Sequence, residues 1–167
     1  GRVLESKNLS VGIVTGIVNE LWMKLRVRGE AGHAGTTPMN LRHDALTAAA
    51  EMVLAIEREA RKTGTTVATV GRLQVYPGGI NIIPGQVEFT LDLRDASQEV
   101  SDQVEAAIFK EIDKICRARG VQLETEVLQR IPPAICSREF QLLAKKACQK
   151  VGLEYFCLPS GAGHDAM

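Results

Sequence analysis

Leu21, Met23, Leu25 and Val27 alternate with Trp22, Lys24, Arg26 and Arg28. A period of two predicts a half-buried strand with one apolar and one polar face. Residues 86–94 repeat the pattern, with Val87, Phe89, Leu91 and Leu93 set against Glu88, Thr90, Asp92 and Arg94. Between these strands the spacing becomes helical. Leu41, Ala45, Ala48, Ala49, Met52, Val53 and Ile56 fall on one stripe. That predicts a helix over residues 38–64, capped by Thr37 with Pro38 at its first position. The threonine- and valine-rich residues 65–76 predict a strand. Ser97 opens a second helix with Val100, Val104, Ala107, Ile108, Ile112 and Ile115 inside, and Gly120 stops it. Residues 121–128 alternate again. From Leu21 onward the order is β-α-β-β-α-β. This is an α+β, ferredoxin-like arrangement: an antiparallel sheet with both helices on one face.

The flanks read differently. Residues 11–18 are apolar and β-branched, broken by Gly12 and Gly16. They predict a strand that joins this sheet or leads into it. Pro132-Pro133 marks a boundary. After it, Ser137 caps a third helix with Phe140, Leu143, Ala144, Ala147 and Val151 on one stripe, ending at Gly152. Residues 155–158 predict a short buried strand, followed by a turn-rich loop.

Twenty basic and twenty acidic side chains give no net charge, which argues against a nucleic-acid or acidic-membrane footprint. No targeting segment and no apolar span of membrane length is present. Cys116, Cys136, Cys148 and Cys157 form no C-x-x-C pair. They read as reduced, packed cysteines of a cytoplasmic protein.

Three blocks carry candidate chemistry. Gly32-His33-Ala34-Gly35-Thr36-Thr37-Pro38 holds an imidazole on a tight small-residue loop. Gly79-Ile80-Asn81-Ile82-Ile83-Pro84-Gly85 runs into the strand that ends Asp92-Leu93-Arg94. There a guanidinium could grip a carboxylate by two parallel hydrogen bonds, or simply pair with Asp92 or Asp95. Pro159-Ser160-Gly161-Ala162-Gly163-His164-Asp165-Ala166 is a glycine-rich loop after a strand, placed to open a helix and offer N–H groups to an anion. One histidine beside one aspartate makes no metal site. His43 and Asp44 read as capping and surface residues.

Together these blocks resemble the peptidase M20 family, and within it the amidase (hydantoinase/carbamoylase) branch: N-carbamoyl-L-amino acid hydrolases, allantoate amidohydrolases and β-ureidopropionases. Gly1-Arg2-Val3-Leu4-Glu5 is similar to the tail of that branch's His-x-Glu-Gln-Gly-x-x-Leu-Glu segment. The resemblance extends over all 167 residues.

It implies a piece of a longer enzyme: a lid or dimerisation domain at 10–131, with catalytic-domain remnants at 1–9 and 132–167. The implied reaction is metal-assisted hydrolysis of a linear carbamoyl or ureido C–N bond in a small carboxylate substrate. His33 would stabilise the tetrahedral oxyanion in the opposite subunit's site. Asn81 and Arg94 would hold the substrate carboxylate, and Gly161, Gly163 and His164 would border the substrate. The parent would use two divalent ions (zinc, manganese, cobalt or nickel). Their His-x-Asp, Glu-Glu and C-terminal histidine ligands do not occur here, so no metal ligand is assigned and the piece alone is expected to be inactive. A homodimer is expected, with no nucleic-acid or membrane partner. Two other readings stay open: a non-catalytic dimerisation module of the same fold, and an RNA-binding β-α-β-β-α-β domain. The second is disfavoured by the neutral charge and the lack of an aromatic-rich strand.

Overall fold

The computed structural model describes residues 1–164. A short helix α1 (Arg2–Ser6) leads to β1 (Val11–Ile17) and β2 (Glu20–Arg28). A two-residue strand β3 (Gly32–His33) and a 3-10 turn (Met39–Leu41) precede α2 (Ala45–Arg61). Then come β4 (Val67–Thr69), β5 (Leu73–Tyr76), β6 (Ile82–Ile83) and β7 (Gln86–Arg94). The chain continues through α3 (Gln98–Arg119), β8 (Gln122–Ile131), β9 (Ala134–Ile135), α4 (Arg138–Lys150) and β10 (Tyr155–Ser160).

The larger sheet runs β4-β7-β2-β8, with β5 pairing further along β7. All its pairings are antiparallel. Treating β4 and β5 as one interrupted strand, this is the β-α-β-β-α-β order read from the alternation. Leu21, Leu25, Val27, Val87, Phe89 and Leu93 are fully buried against Ala45, Ala48, Ala49 and Met52 of α2 and Ile108 and Ile112 of α3. Burying a large apolar side chain contributes about 1.5–3 kcal/mol, so this layer holds the sheet and helices together. The opposite face carries ion-pair rungs instead. Lys24 meets Glu126 at 2.7 Å, and Arg26 meets Glu88 at 2.9 Å and Glu124 at 3.1 Å.

Several expectations are corrected. The first long helix starts at Ala45, not Pro38. Asp44 is its cap, and its Oδ1 accepts the Leu46 N–H at 2.8 Å and the Thr47 N–H at 3.2 Å. Pro38 has ψ 151°, which is extended rather than helical. Leu41 therefore leaves the apolar stripe and is exposed. The strand expected over residues 65–76 is broken: Arg72 accepts from Thr90 N–H between the two short pieces. Glu59, a charged residue outside the apolar stripe, is nonetheless buried, with Lys62 and Arg58 on its carboxylate. On α4 only Cys148 is buried, while Phe140, Leu143 and Val151 are exposed.

β1 leads into the larger sheet but lies in another. It pairs in parallel with β10 and antiparallel with β9. Gly16 suits that location, because a Cβ there would stand 2.9 Å from the Ala134 carbonyl; at Gly12 the nearest atom is the movable Cδ2 of Leu158, at 2.9 Å. Val18 donates to Ser160 of β10, whereas the next residue, Asn19, donates to Asp95 at the end of β7. The peptide between them joins the two sheets.

Candidate functional site

His33 sits on β3, paired with Ile82 of β6. The turn after it closes tightly. Gly35 N–H donates to His33 Nδ1 at 3.0 Å, and a Cβ on Gly35 would meet the imidazole Cε1 at 3.2 Å. A neutral imidazole that accepts at Nδ1 carries its proton on Nε2. Nε2–H is thus the donor that the loop presents outward. Arg42 braces the same turn. Its Nη2 donates to Ala34 O at 2.6 Å and its Nε to Thr37 O at 3.0 Å. These bonds hold residues 34–42 as a loop and explain why the helix begins later.

Asn81 lies beside this turn, where its backbone oxygen accepts the Ala34 N–H at 2.9 Å. The structure therefore brings Asn81 to His33 rather than to Arg94. The two clusters sit at opposite ends of β7. Its nine residues span about 27–30 Å at ~3.3 Å per residue, longer than any small substrate.

At the far end, Arg94 is held from three sides. Nε and Nη2 grip Asp92 at 2.8 Å each, Nη2 also meets Glu20 at 2.9 Å, and Nη1 donates to Gly161 O at 3.0 Å. The pairing with Asp92 is the structural alternative anticipated for this arginine. The hydrogen bonds to Asp92 raise the guanidinium pKa above its ordinary value, with burial opposing and Glu20 assisting. Two carboxylates thus face one arginine. Glu20 was not anticipated, because nothing local marks a residue 74 positions away as a partner of Arg94.

The Gly161 contact carries the larger sheet's end onto the 159–164 loop. There Ser160 Oγ lies 3.0 Å from His164 Nε2 and accepts the Ala162 N–H at 3.3 Å. Gly161, Gly163 and His164 are all exposed. Arg94, Gly161, Gly163 and His164 therefore share one region, and His33 with Asn81 forms another. Asp165, named with this loop, lies outside the described residues.

No three His, Cys, Asp or Glu side chains come together as a metal site among the described residues. What these residues present does not fit a two-metal centre. No described helix is long and apolar enough to cross a membrane.

The family described as the M20 peptidase dimerisation domain matches residues 15–119. The chain belongs to the peptidase M20 family. It is 54% identical to an N-carbamoyl-L-amino acid amidohydrolase of Geobacillus stearothermophilus, over all of this chain and 41% of that protein. A ureidoglycolate hydrolase of Oryza sativa subsp. japonica is 35% identical, again over the whole chain and 35% of its own length. Among solved structures, a hydantoinase/carbamoylase family amidase from Burkholderia ambifaria superposes with a TM-score of 0.95 at 38% identity, covering 99% of this chain and 41% of that one. This M20 chain thus spans about two-fifths of the length of such relatives.

Proposed function

We propose that this chain is the lid and adjoining part of an amidohydrolase that cleaves a linear carbamoyl or ureido C–N bond in a small carboxylate substrate. The names of its relatives and the family match support that reaction class. The lid is assigned to residues 10–131, with residues 1–9 and 132–167 in the catalytic domain; the sheet pairing of β1 favours moving the lid's start to Asn19.

The observation that carries the reading is the separation along β7. A His33–Asn81 cluster and an Arg94–Gly161–His164 cluster cannot touch one small substrate within a single subunit. Two subunits related by a two-fold axis can complete each site from opposite chains. Arg94, Gly161, Gly163 and His164 would line the substrate in their own subunit. His33 and Asn81 would come from the neighbour. As water adds to the carbamoyl carbon, negative charge gathers on the carbonyl oxygen. His33 Nε2–H would donate to that oxygen until the C–N bond breaks. The substrate carboxylate would be received by Arg94 through Nη1, displacing the Gly161 carbonyl. Asp92 and Glu20 keep the guanidinium still but compete with that carboxylate.

The two divalent ions expected of the whole enzyme (zinc, manganese, cobalt or nickel) would be held by residues outside this chain. Four free thiols suit a reducing cytoplasm. The test is a panel of N-carbamoyl-L-amino acids, allantoate and ureidoglycolate on the full-length protein. Turnover of at least one supports the reading. Full-length protein that forms dimers, holds metal and turns over none of them favours a non-catalytic dimerisation module.

A further inference from the structure

The end of β7 is fixed by a buried polar clamp that the proposed reaction has not used. Asn19 Oδ1 accepts the Asp95 N–H at 2.6 Å, and Asn19 N–H donates to Asp95 O at 2.8 Å. Asn19 Nδ2 donates to Ser101 Oγ in α3 at 2.7 Å. Asp95 Oδ2 accepts from the hydroxyls of Thr65 at 2.9 Å and Thr66 at 2.7 Å, and Oδ1 accepts the Ser97 N–H at 2.8 Å. Asn19, Asp95 and Ser101 are 2%, 3% and 1% exposed. A buried carboxylate with all these donors is costly to disturb, because each donor lost leaves an unsatisfied partner.

Its place in the chain gives the clamp a meaning. Asn19 immediately precedes Glu20, and Asp95 immediately follows Arg94. Glu20 and Arg94 are themselves ion-paired at 2.9 Å. The clamp therefore ties the two backbones that carry this pair. It does so where β7 would otherwise fray and where the chain crosses between sheets. We propose that Asn19 and Asp95 are positioning residues for Arg94. They set the height and direction from which its guanidinium meets a carboxylate beside Gly161. This rests on the reading of Arg94 as a carboxylate receptor.

The test uses the full-length enzyme with N-carbamoyl-L-leucine as substrate and its carboxamide as competitive inhibitor. The two differ only in the group that Arg94 would read. Asn19→Ala should raise KM for the carboxylate about tenfold, with kcat and the Ki of the carboxamide changed by less than about twofold. In an Arg94→Ala background the same substitution should add less than about twofold, because its effect runs through that side chain. Thr66→Val, which removes one donor to Asp95 at constant shape, should give a smaller shift of the same kind and decides the matter if Asn19→Ala does not fold. Equal changes for carboxylate and carboxamide, or full additivity with Arg94→Ala, would overturn the proposal and leave the clamp as a fold lock. If Arg94→Ala itself leaves the carboxylate KM unchanged, the carboxylate role of Arg94 fails first, and the positioning role goes with it.

Discussion

Gly35 donates its N–H to Nδ1 of His33 across a single intervening residue, at 3.0 Å. That bond selects the tautomer whose free proton sits on Nε2, the atom that an oxyanion needs to find. Replacing His33 with Ala in the full-length enzyme should lower kcat by about 10²–10³. His33→Gln keeps an N–H donor of similar reach and should recover part of that loss. If Gln is no better than Ala, donation from Nε2 is not what His33 contributes.

Arg94 leads to an expectation with two sides. Losing a charge-assisted contact costs about 1.5–3 kcal/mol, so Arg94→Ala should raise KM roughly tenfold to hundredfold. Arg94→Lys should rescue only partly, because a single ammonium cannot hold Asp92 through two parallel bonds and also reach Gly161. An unchanged KM in Arg94→Ala would return this arginine to its pairing role with Asp92 and Glu20.

The helix start separates two readings of the same sequence. Asp44 accepts two N–H groups of the first turn, and Thr37 lies outside the helix. Asp44→Ala should cost about 1 kcal/mol in a urea titration, as cap losses do. Thr37 is half-buried but caps no helix, so Thr37→Ala should cost less than Asp44→Ala. The reverse order would restore Thr37 as the cap.

These cases show where the sequence is informative. Leu21 to Val27 and Val87 to Leu93 advertise their strands because every second residue must meet the same core, so a period of two survives in the letters. The family motifs around His33, Asn81 and Arg94 are likewise visible as strings. What they do not carry is distance. Asn81 and Arg94 are thirteen positions apart, and only the straightness of β7 places them at opposite ends of a sheet. The helix start was hidden because Thr37-Pro38 and Asp44 are both good openings, and Arg42, by bonding to Ala34 and Thr37, decides between them. Nothing local marks Asn19 or Ser101, and Asp95 stands in the letters only as a possible partner of Arg94. Their burial comes from partners far along the chain, which no local pattern encodes.

Glu59 supplies a pH dependence. Its carboxyl is held below the ordinary glutamate range, mainly by a hydrogen bond from Lys62, against the cost of burial and with further help from the charge of Lys62 and from Arg58. A carboxyl with a depressed folded-state pKa contributes stability above its unfolded value of about 4.3, and loses it as the pH falls through the folded value. Glu59→Gln should therefore lower stability at pH 7 and narrow the gap to wild type in acid. Urea unfolding at pH 7 and pH 3.5 measures both gaps. A gap of the same size at the two pH values would mean that Glu59 gains nothing from its charge.

The separation along β7 makes its sharpest demand on assembly. If each site takes Arg94 from one subunit and His33 from the other, two inactive variants should complement. One lacks His33. The other lacks a metal ligand in the part of the enzyme outside this chain. In a hybrid dimer, the subunit that keeps its metal receives His33 from its partner, so one of two sites is whole. Random exchange of equal amounts makes half the dimers hybrid, and about a quarter of wild-type activity should return. Leu54 on α2 and Val67 and Leu73 on β4 and β5 are exposed apolar side chains beside an open sheet edge, where a second copy could pair. Leu54→Glu with Val67→Lys should therefore weaken dimers in sedimentation and abolish complementation together. If hybrids form, as verified by differential tagging, and yet stay inactive, His33 does not work across the interface. A site built from both ends of β7 would then have to be abandoned.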